Sequence, residues 1–452
     1  MLQRPINGNV LLLGGGISGV AQECLKYPLK RLDCIEINPA IQAFGKSFLI
    51  LPADKRFKIH FGDPRLMVNK MSNEKNRFLL KTMLVNRNMD SLSFDAIILD
   101  LPEPSTLQIN RFYTVEFFDA LKTLLIKNGI VTFSLKPTPD YMGSDALQVQ
   151  STMYQTLKAV FKNVSVIPGE KNYFLASDGQ LTVTVASLGE SRGISTEYVN
   201  EYYLDDASLK ERSNKIMKRI SVEAPINRDF EPIACYRQLR YWLSYPGNTD
   251  IYVIIIPVIL LLLFAGIRSG GITVALFSAG LSSFSLEIIL ILTFQVLYGY
   301  VYLMTGIFFT LFMAGLATGV FLAKHFTKRA FFNQLIKLQF ISILLIGLSL
   351  ATIYFSRDFQ RSLVLMHILY GLLIVGIATV TGALFHIASI LKSGDINKVA
   401  ATNYSADLAG SAAGALLVNA WIVPSYGFIA SLIIVAGVSM CGIILLLIKK
   451  QD

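Results

Sequence analysis

The residues best placed to do chemistry are a glycine run and a set of carboxylates. Residues 10–19 read VLLLGGGISG, an apolar run ending in Gly14, Gly15 and Gly16, with Gly19 just beyond. Glycines there let the backbone turn sharply and let a ligand approach the main chain closely. Glu36 follows 17 residues after Gly19, at the end of the next apolar run, where a carboxylate accepts from both hydroxyls of a ribose. Asp63 lies just past a third run, placed to accept from an adenine amine, and Asp100 ends a fourth. Groups at the carboxyl ends of consecutive parallel strands converge on one crevice, which is where open α/β sheets bind ligands. Taken singly, each acid reads as a solvated strand-end residue; the ordered set is what argues for a site.

The fourth run continues as LDLPEPS, residues 99–105. Asp100 and Glu103 flank Pro102, so the two acids are able to serve one amine at two points. An alkyl amine, with a reference pKa of about 10, is protonated at neutral pH. A nearby carboxylate binds that cation, orients it and accepts its proton. The four histidines show no metal-ligand spacing, and no metal is expected. Cys24, Cys34, Cys235 and Cys441 are scattered without a C-x-x-C pair and read as ordinary buried thiols.

The elements that must hold these groups follow from the apolar pattern. Residues 1–250 hold 30 Lys+Arg and 26 Asp+Glu, a soluble composition with nearly balanced charge, which leaves a nucleic-acid role without support. Short apolar runs alternate there with helix-like stretches, the pattern of a Rossmann-like α/β sheet. Strands are expected at Val10–Leu13, Arg31–Ile37, Phe57–Phe61, Phe94–Leu99 and Gly129–Ser134. Val164–Ile167 and Leu181–Ala186 are expected as an antiparallel edge pair. Helices are expected over 18–27, from the Asn38-Pro39 start, and over 113–126 and 145–161. The expected organisation is an α/β domain over 1–189, a helical extension over 190–250 and an all-α polytopic membrane domain over 251–452.

Residues 251–452 hold only 11 Lys+Arg and 5 Asp+Glu, a membrane composition. Apolar stretches fall near 251–267, 272–297, 301–323, 335–355, 363–391, 405–422 and 428–448. The first is short for a span, so six crossings are expected, with a seventh open. Lys324, Lys328, Arg329, Lys337, Lys392, Lys398, Lys449 and Lys450 then share one side, cytoplasmic by the positive-inside rule. The N-terminal half joins them if 251–267 does not cross. An inner-membrane, multi-pass protein with its soluble half in the cytoplasm is the expectation, and the N-terminus carries no signal-peptide pattern. Glu287 and Asp407 lie inside apolar stretches, where carboxylates are costly and default to functional candidates.

Several stretches together resemble one family. GGGISG, IEIN at 35–38, FGDPR at 61–65, LDLPEPS at 99–105 and RFYTVEFF at 111–118 are similar, in order, to the spermidine synthase (polyamine aminopropyltransferase) family. The fold of that family is similar to that of S-adenosylmethionine-dependent methyltransferases. NVSVIPGEKNYFLASD, YVNEYYL, NRDFEPIACYRQLRYWL and AGLSSFSLEIILILTFQVLYGYVY resemble its membrane-fused bacterial branch.

The resemblance implies roles. Gly14, Gly15, Gly16 and Gly19 line the nucleoside and thioether of decarboxylated S-adenosylmethionine, Glu36 holds the ribose and Asp63 the adenine. Asp100 takes the position of the catalytic base, Glu103 the second acidic position, and Tyr113 positions the amine substrate. Ile17 stands where the family's glycine loop carries an acid, and Asn38 replaces a second acid. The β-rich N-terminal segment of soluble members does not precede the first strand, which leaves three alternatives: an incomplete reading frame, a homodimer or partner subunit that supplies that cover, or a changed activity. Three activities accord with these residues: aminopropyl transfer to putrescine or a similar amine, methyl transfer from S-adenosylmethionine, or nucleoside binding coupled to a polyamine or lipid transporter or sensor.

Overall fold

The computed structural model describes residues 2–3, 7–48, 52–72, 93–136, 144–194, 196–244, 253, 256, 268–299, 301–326, 332–356, 363–392 and 394–449. The chain divides into two compact units, Met1–Trp242 and Leu243–Asp452.

The first unit is built on a seven-stranded sheet. Its strands are β1 (Asn9–Gly14), β2 (Arg31–Glu36), β3 (Phe57–Phe61), β4 (Phe94–Asp100), β5 (Leu125–Leu135), β6 (Asn163–Pro168) and β7 (Asn172–Ser177), in the order β3-β2-β1-β4-β5-β7-β6. The first five are parallel, and β7 runs antiparallel to both β5 and β6. β1 is central and buried on both faces, which is why its run of Val10–Leu13 is continuously apolar rather than alternating.

The first helices of the unit are α1 (Val20–Leu25), α2 (Pro39–Ser47), α3 (Pro64–Ser72), α4 (Leu107–Asn110), α5 (Val115–Leu124) and α6 (Ser144–Lys158). After the sheet come α7 (Val185–Ser191), α8 (Asp206–Arg219) and α9 (Ile233–Ser244). Asn38 caps α2 by accepting from the Ala40 amide at 3.0 Å, as its Asn-Pro start implies. One sheet face packs Val10, Leu12, Leu32 and Cys34 with Ala21 and Cys24 of α1. The opposite face packs Leu11, Leu13, Ile97, Leu99, Val131, Phe133 and Phe174 with α3, α5, α6, Ile216 of α8 and Ala234 of α9.

The last strand is not where the apolar pattern puts it. The partner of β6 is Asn172–Ser177, and Leu181–Ala186 is not a strand. Side chains claim that later segment. Gln3 bonds both the amide and the carbonyl of Thr182, and Asp206 accepts from the amides of Ala186 and Ser187. These contacts start helix α7 instead of adding an edge to the sheet.

A buried polar network ties the segment before α9 to the loop before α5. Arg65 donates to the Arg111 carbonyl, to Thr114 Oγ1 and to Asp229, and Thr114 Oγ1 donates to Asp229 Oδ1 at 2.6 Å. Asn227 donates to Asn110 Oδ1 at 3.0 Å and to the Tyr113 carbonyl at 2.9 Å. Burial, and then the Asp229 charge, push the neighbouring Glu116 carboxyl up.

The second unit is all helical: α10 (Gly271–Tyr298), α11 (Val301–Phe326), α12 (Phe332–Ser356), α13 (Leu363–Leu391), α14 (Ile396–Leu417), a π-helix (Val418–Ile422) and α15 (Val423–Ile448). Five helical stretches among the described residues are long and apolar enough to cross a membrane, counting Ile396–Ile448 as one. The expected spans 405–422 and 428–448 both fall within that stretch, which breaks at Gly427 with φ 80° and ψ 175°. The expected segment 251–267 lies almost wholly outside the described residues. Glycines set the closest helix contacts. A Cβ on Gly319 would collide with the Thr379 carbonyl of α13, and one on Gly410 with the Phe277 carbonyl of α10.

Replacing Asp229 by alanine leaves the Arg65 guanidinium buried without its countercharge. The expected loss is about 3–5 kcal/mol, read as a lower midpoint for D229A in thermal unfolding of the full chain in detergent. An unchanged midpoint contradicts the role given to this pair.

Candidate active site

The strand register assembles the site. Gly14 pairs with Asp100 across β1 and β4, and Glu36 pairs with Phe61 across β2 and β3. The carboxyl ends of four parallel strands therefore share one edge. Beyond it the chain turns through Gly14 and Gly15, at φ 73° and 69°, and Gly19 at φ 86° leads into α1. These are left-handed conformations that residues with a Cβ adopt at a cost. Space gives a second reason. A Cβ on Gly15 would collide with the Asp100 carboxylate, and one on Gly16 would sit 3.3 Å from Glu36 Oε2. The glycine turn therefore passes between Glu36 and Asp100, with no side chain of its own at Gly14–Gly16.

The acids differ in how far the protein already engages them. Glu36 is buried and accepts from the Ile37 amide at 2.9 Å through Oε1. Asp63 caps α3: its Oδ1 accepts from the amides of Arg65 at 3.0 Å and Leu66 at 3.1 Å. Its Oδ2 pairs with the buried guanidinium of Arg111. Burial pulls that guanidinium down, and Asp63 opposes the shift. With about four acceptor positions on a carboxylate, Asp63 has little left for an adenine amine. Glu103 is engaged on both oxygens, by the Lys136 amide and by Gln238 Nε2 of α9, the latter at 3.0 Å. Asp100 is the exception. Its Oδ2 is buried and has no hydrogen-bond partner among the described residues.

Tyr113 takes a different place from the one the resemblance implies. Its side chain is fully buried against Phe133, and its hydroxyl lies 3.1 Å from the Leu101 carbonyl and 2.9 Å from the Pro102 carbonyl. Burial, then the charges of Glu103 and Asp100, push the phenol far up, so it is a donor here. It fixes the turn between Asp100 and Glu103 from below, and no face of it is open to a substrate.

Beside the glycine turn, a cavity of about 810 Å³ opens on the α1 side of the sheet. Its lining includes Ser18 and Gly19, the strand residues Ile98, Thr132 and Leu175, and Glu170 and Tyr173. Burial pushes the Tyr173 phenol up, and the charges of Glu170 and Asp100 add to the shift. Sequence reasoning assigned no role to Arg65, Arg111, Asp229, Gln238 or Tyr173. The visible signal was that the first four fall inside conspicuous stretches, FGDPR, RFYTVEFF and NRDFEPIACYRQ. Their partners lie 48 to 164 residues away, a pairing no local pattern reveals.

In the second unit, Asp407 packs on the Gly280 backbone, and Glu287 is fully buried. Of the cysteines, Cys24, Cys34 and Cys235 are buried as expected, whereas Cys441 is exposed on the outward face of α15.

Comparison with known proteins gives a consistent outcome. Residues 1–178 match the spermine/spermidine synthase domain. A polyamine aminopropyltransferase of Prochlorococcus marinus (strain MIT 9312) is 28% identical over 225 residues, covering 47% of this chain and 72% of the relative. One from Sulfolobus acidocaldarius is 32% identical over 160 residues, covering 35% and 46%. Among solved structures, the spermidine synthase of Thermotoga maritima shows 19% identity and a TM-score of 0.35, covering 48% of this chain and 70% of that one. A spermidine synthase in complex with the transition state analogue AdoDATO gives 20% and 0.37, covering 48% and 71%.

Two predictions follow from the geometry. Tyr113→Phe removes a buried hydroxyl from two carbonyls, with an expected destabilisation of about 0.5–1.5 kcal/mol in chemical denaturation; no change would show that the hydroxyl does not hold the turn. Burial pushes Cys34 and Cys235 up to about 12 and Cys24 up to about 11. All three stay protonated in the folded protein and unreactive to iodoacetamide at about pH 8, labelling only on unfolding. Peptide mass mapping checks this, and fast native labelling of any of the three contradicts it.

Proposed function

Since the N-terminal half of this chain belongs to the spermidine synthase family, we propose that its Asp100 crevice transfers an aminopropyl group from decarboxylated S-adenosylmethionine to putrescine or a similar amine. The observation that carries this reading is the unengaged, buried Asp100 Oδ2 beside a glycine turn. A carboxylate oxygen kept free of protein donors is available to an incoming ammonium.

The chemistry asked of the site is modest. The amine attacks the carbon next to the donor's sulfonium; the C–N bond forms as the C–S bond breaks. The bonding pair leaves on sulfur, giving neutral methylthioadenosine. Sulfonium is a good leaving group, so alignment is the main demand. Asp100 binds the protonated amine, takes one proton as the nitrogen becomes nucleophilic, and holds it close to the attacked carbon. Glu36 accepts from the ribose hydroxyls, and Gly14–Gly16 let the nucleoside lie against the backbone. Asp63 supports this pocket chiefly by starting α3 and holding Arg111, with its remaining acceptor position toward the adenine. Glu103 acts through the turn it ties to Gln238. Among the cavity's lining residues, Ile98 and Leu175 suit the methylene chain of a diamine and the Glu170 carboxylate its far ammonium.

The helices of the second unit are read as an inner-membrane anchor, with the N-terminal half on the cytoplasmic side where such a donor is made. One observation favours a second activity on the same crevice. Ile17, half-buried in the glycine turn, offers no charge to the donor's amine, which leaves methyl transfer from S-adenosylmethionine as the competing reaction.

With the full chain in detergent, putrescine and decarboxylated S-adenosylmethionine are expected to yield methylthioadenosine. S-adenosylhomocysteine from S-adenosylmethionine would instead establish the second activity. D100N is expected to lower aminopropyl transfer by about 10²–10⁴-fold with donor affinity nearly unchanged in calorimetry. Equal loss of binding and turnover would make Asp100 a structural residue and overturn the assignment.

A further inference from the structure

We propose that Glu287, within the central helix α10 of the second unit, binds a primary alkylammonium group. This site is separate from the Asp100 crevice and does not rest on the activity assigned there.

The inference begins with the hydrogen bonds of α10. Ser278 donates to the Ala275 carbonyl at 2.9 Å and meets Gln339 of α12. Ser282 meets Ser439 of α15 at 2.7 Å. Ser283 donates to the Gly280 carbonyl, Thr293 to the Ile289 carbonyl, and Gln295 to Thr305 of α11. The Tyr298 hydroxyl at the end of this helix is buried without a partner among the described residues, but Ser278, Ser282, Ser283 and Thr293 are each satisfied within the bundle. Glu287 is not. It is 0% exposed, and neither carboxylate oxygen has a partner among the described residues. The Ser285 hydroxyl is likewise buried without one. A buried carboxylate in apolar surroundings is sustained by a guest or a counterion, and inside a membrane bundle it marks a functional position.

A second, independent feature begins one helical step further along the neighbouring helix α14. Gly410 packs on Phe277 and Leu281, and Gly414 packs on Leu281 and Ser285. Each step of four residues along α14 therefore advances four along α10. The next step brings Val418, where the α-helix gives way to a π-helix that packs against α10. A few residues on, Gly427 leaves the helix altogether, and the Ser425 hydroxyl before it is buried without a partner. π-Turns and broken helices release backbone carbonyls from the ladder, and ligand sites cluster at such breaks.

The donor set selects the ligand. One carboxylate balances one positive charge. A hard metal ion takes about six oxygen ligands, and no group of three metal-binding side chains occurs among the described residues. An ammonium needs only three acceptors, which two carboxylate oxygens and one hydroxyl or released carbonyl supply. Leu290 and Ile291, three and four residues on along the same face of α10, are buried and apolar, the surroundings a hydrocarbon stem requires.

The test uses the full chain in lipid nanodiscs with labelled n-butylamine. Saturable binding is expected in D100N, which removes the amine site of the crevice, partly retained in D100N/E287D and weakened about tenfold or more in D100N/E287Q. Equal binding by D100N/E287Q overturns the proposal, as does the absence of saturable binding in D100N, which assigns the amine to the Asp100 site. Competition by sodium chloride at the same concentration overturns it in favour of an alkali-metal site. Wild-type protein provides a check that does not depend on a variant folding. Dicyclohexylcarbodiimide activates the carboxyl, and a bound amine is captured as the Glu287 butylamide with release of dicyclohexylurea. Amide at Glu287 that saturates with amine supports the site; its absence, or reagent adduct indifferent to amine, overturns it.

Discussion

The first unit depends on a side chain that is not there. Gly15 lies against the Asp100 carboxylate so closely that a single methyl group would collide with it. Its backbone also takes a left-handed turn that favours glycine. This contact allows β1 to sit between β2 and β4 in a register that ends all three strands at one edge. Glu36 and Asp100 then flank an open stretch of backbone instead of filling it. Enlarging the residue would displace the acid, bend the turn, or both.

Around that edge the protein engages most of its acids and leaves one free. Asp63 starts a helix and neutralises Arg111, and Glu103 ties a proline-rich turn to α9. Tyr113 holds the same turn from beneath. These are positioning roles: they limit the freedom of the segment carrying Asp100 and so reduce the ordering a bound amine must undergo. The Arg65–Asp229–Thr114 cluster acts one layer further out, joining the loop before α5 to the segment before α9. Buried ion pairs contribute little net stability over an apolar core, but they are costly to break, so they specify how these distant segments meet.

The second unit follows the same physics in an apolar setting. Small residues bring helices into backbone contact, and hydroxyls close their hydrogen bonds locally or across one interface. Ser285, Tyr298 and Asp407 each leave a buried oxygen without a partner among the described residues, and Glu287 leaves both oxygens of its carboxylate so, while the α-helical ladder changes at Val418–Ile422 and again at Gly427. The π-turn begins one step beyond the Gly414–Ser285 contact of the α10–α14 pair, which is where the proposed guest would lie.

Much was legible in the residues alone. The glycine run after an apolar strand, the strand-end acids and the change of composition near residue 250 depend on local spacing, which strand and helix periodicity turn directly into geometry. They determined a parallel α/β sheet with its crevice at the carboxyl edge, followed by apolar helices. Only the tertiary structure decided which acids remain free. Whether Asp63 or Glu103 faces a ligand depends on Arg111 and Gln238, which come from distant parts of the chain and whose pairings no local spacing reveals. The same holds for β7: Leu181–Ala186 reads as the last strand, but Asn172–Ser177 takes that place and Gln3 and Asp206 hold the later segment elsewhere. Periodicity records what each residue prefers from its neighbours in sequence, whereas partners, and the groups left without them, are set only when remote segments compete for the same hydrogen bonds.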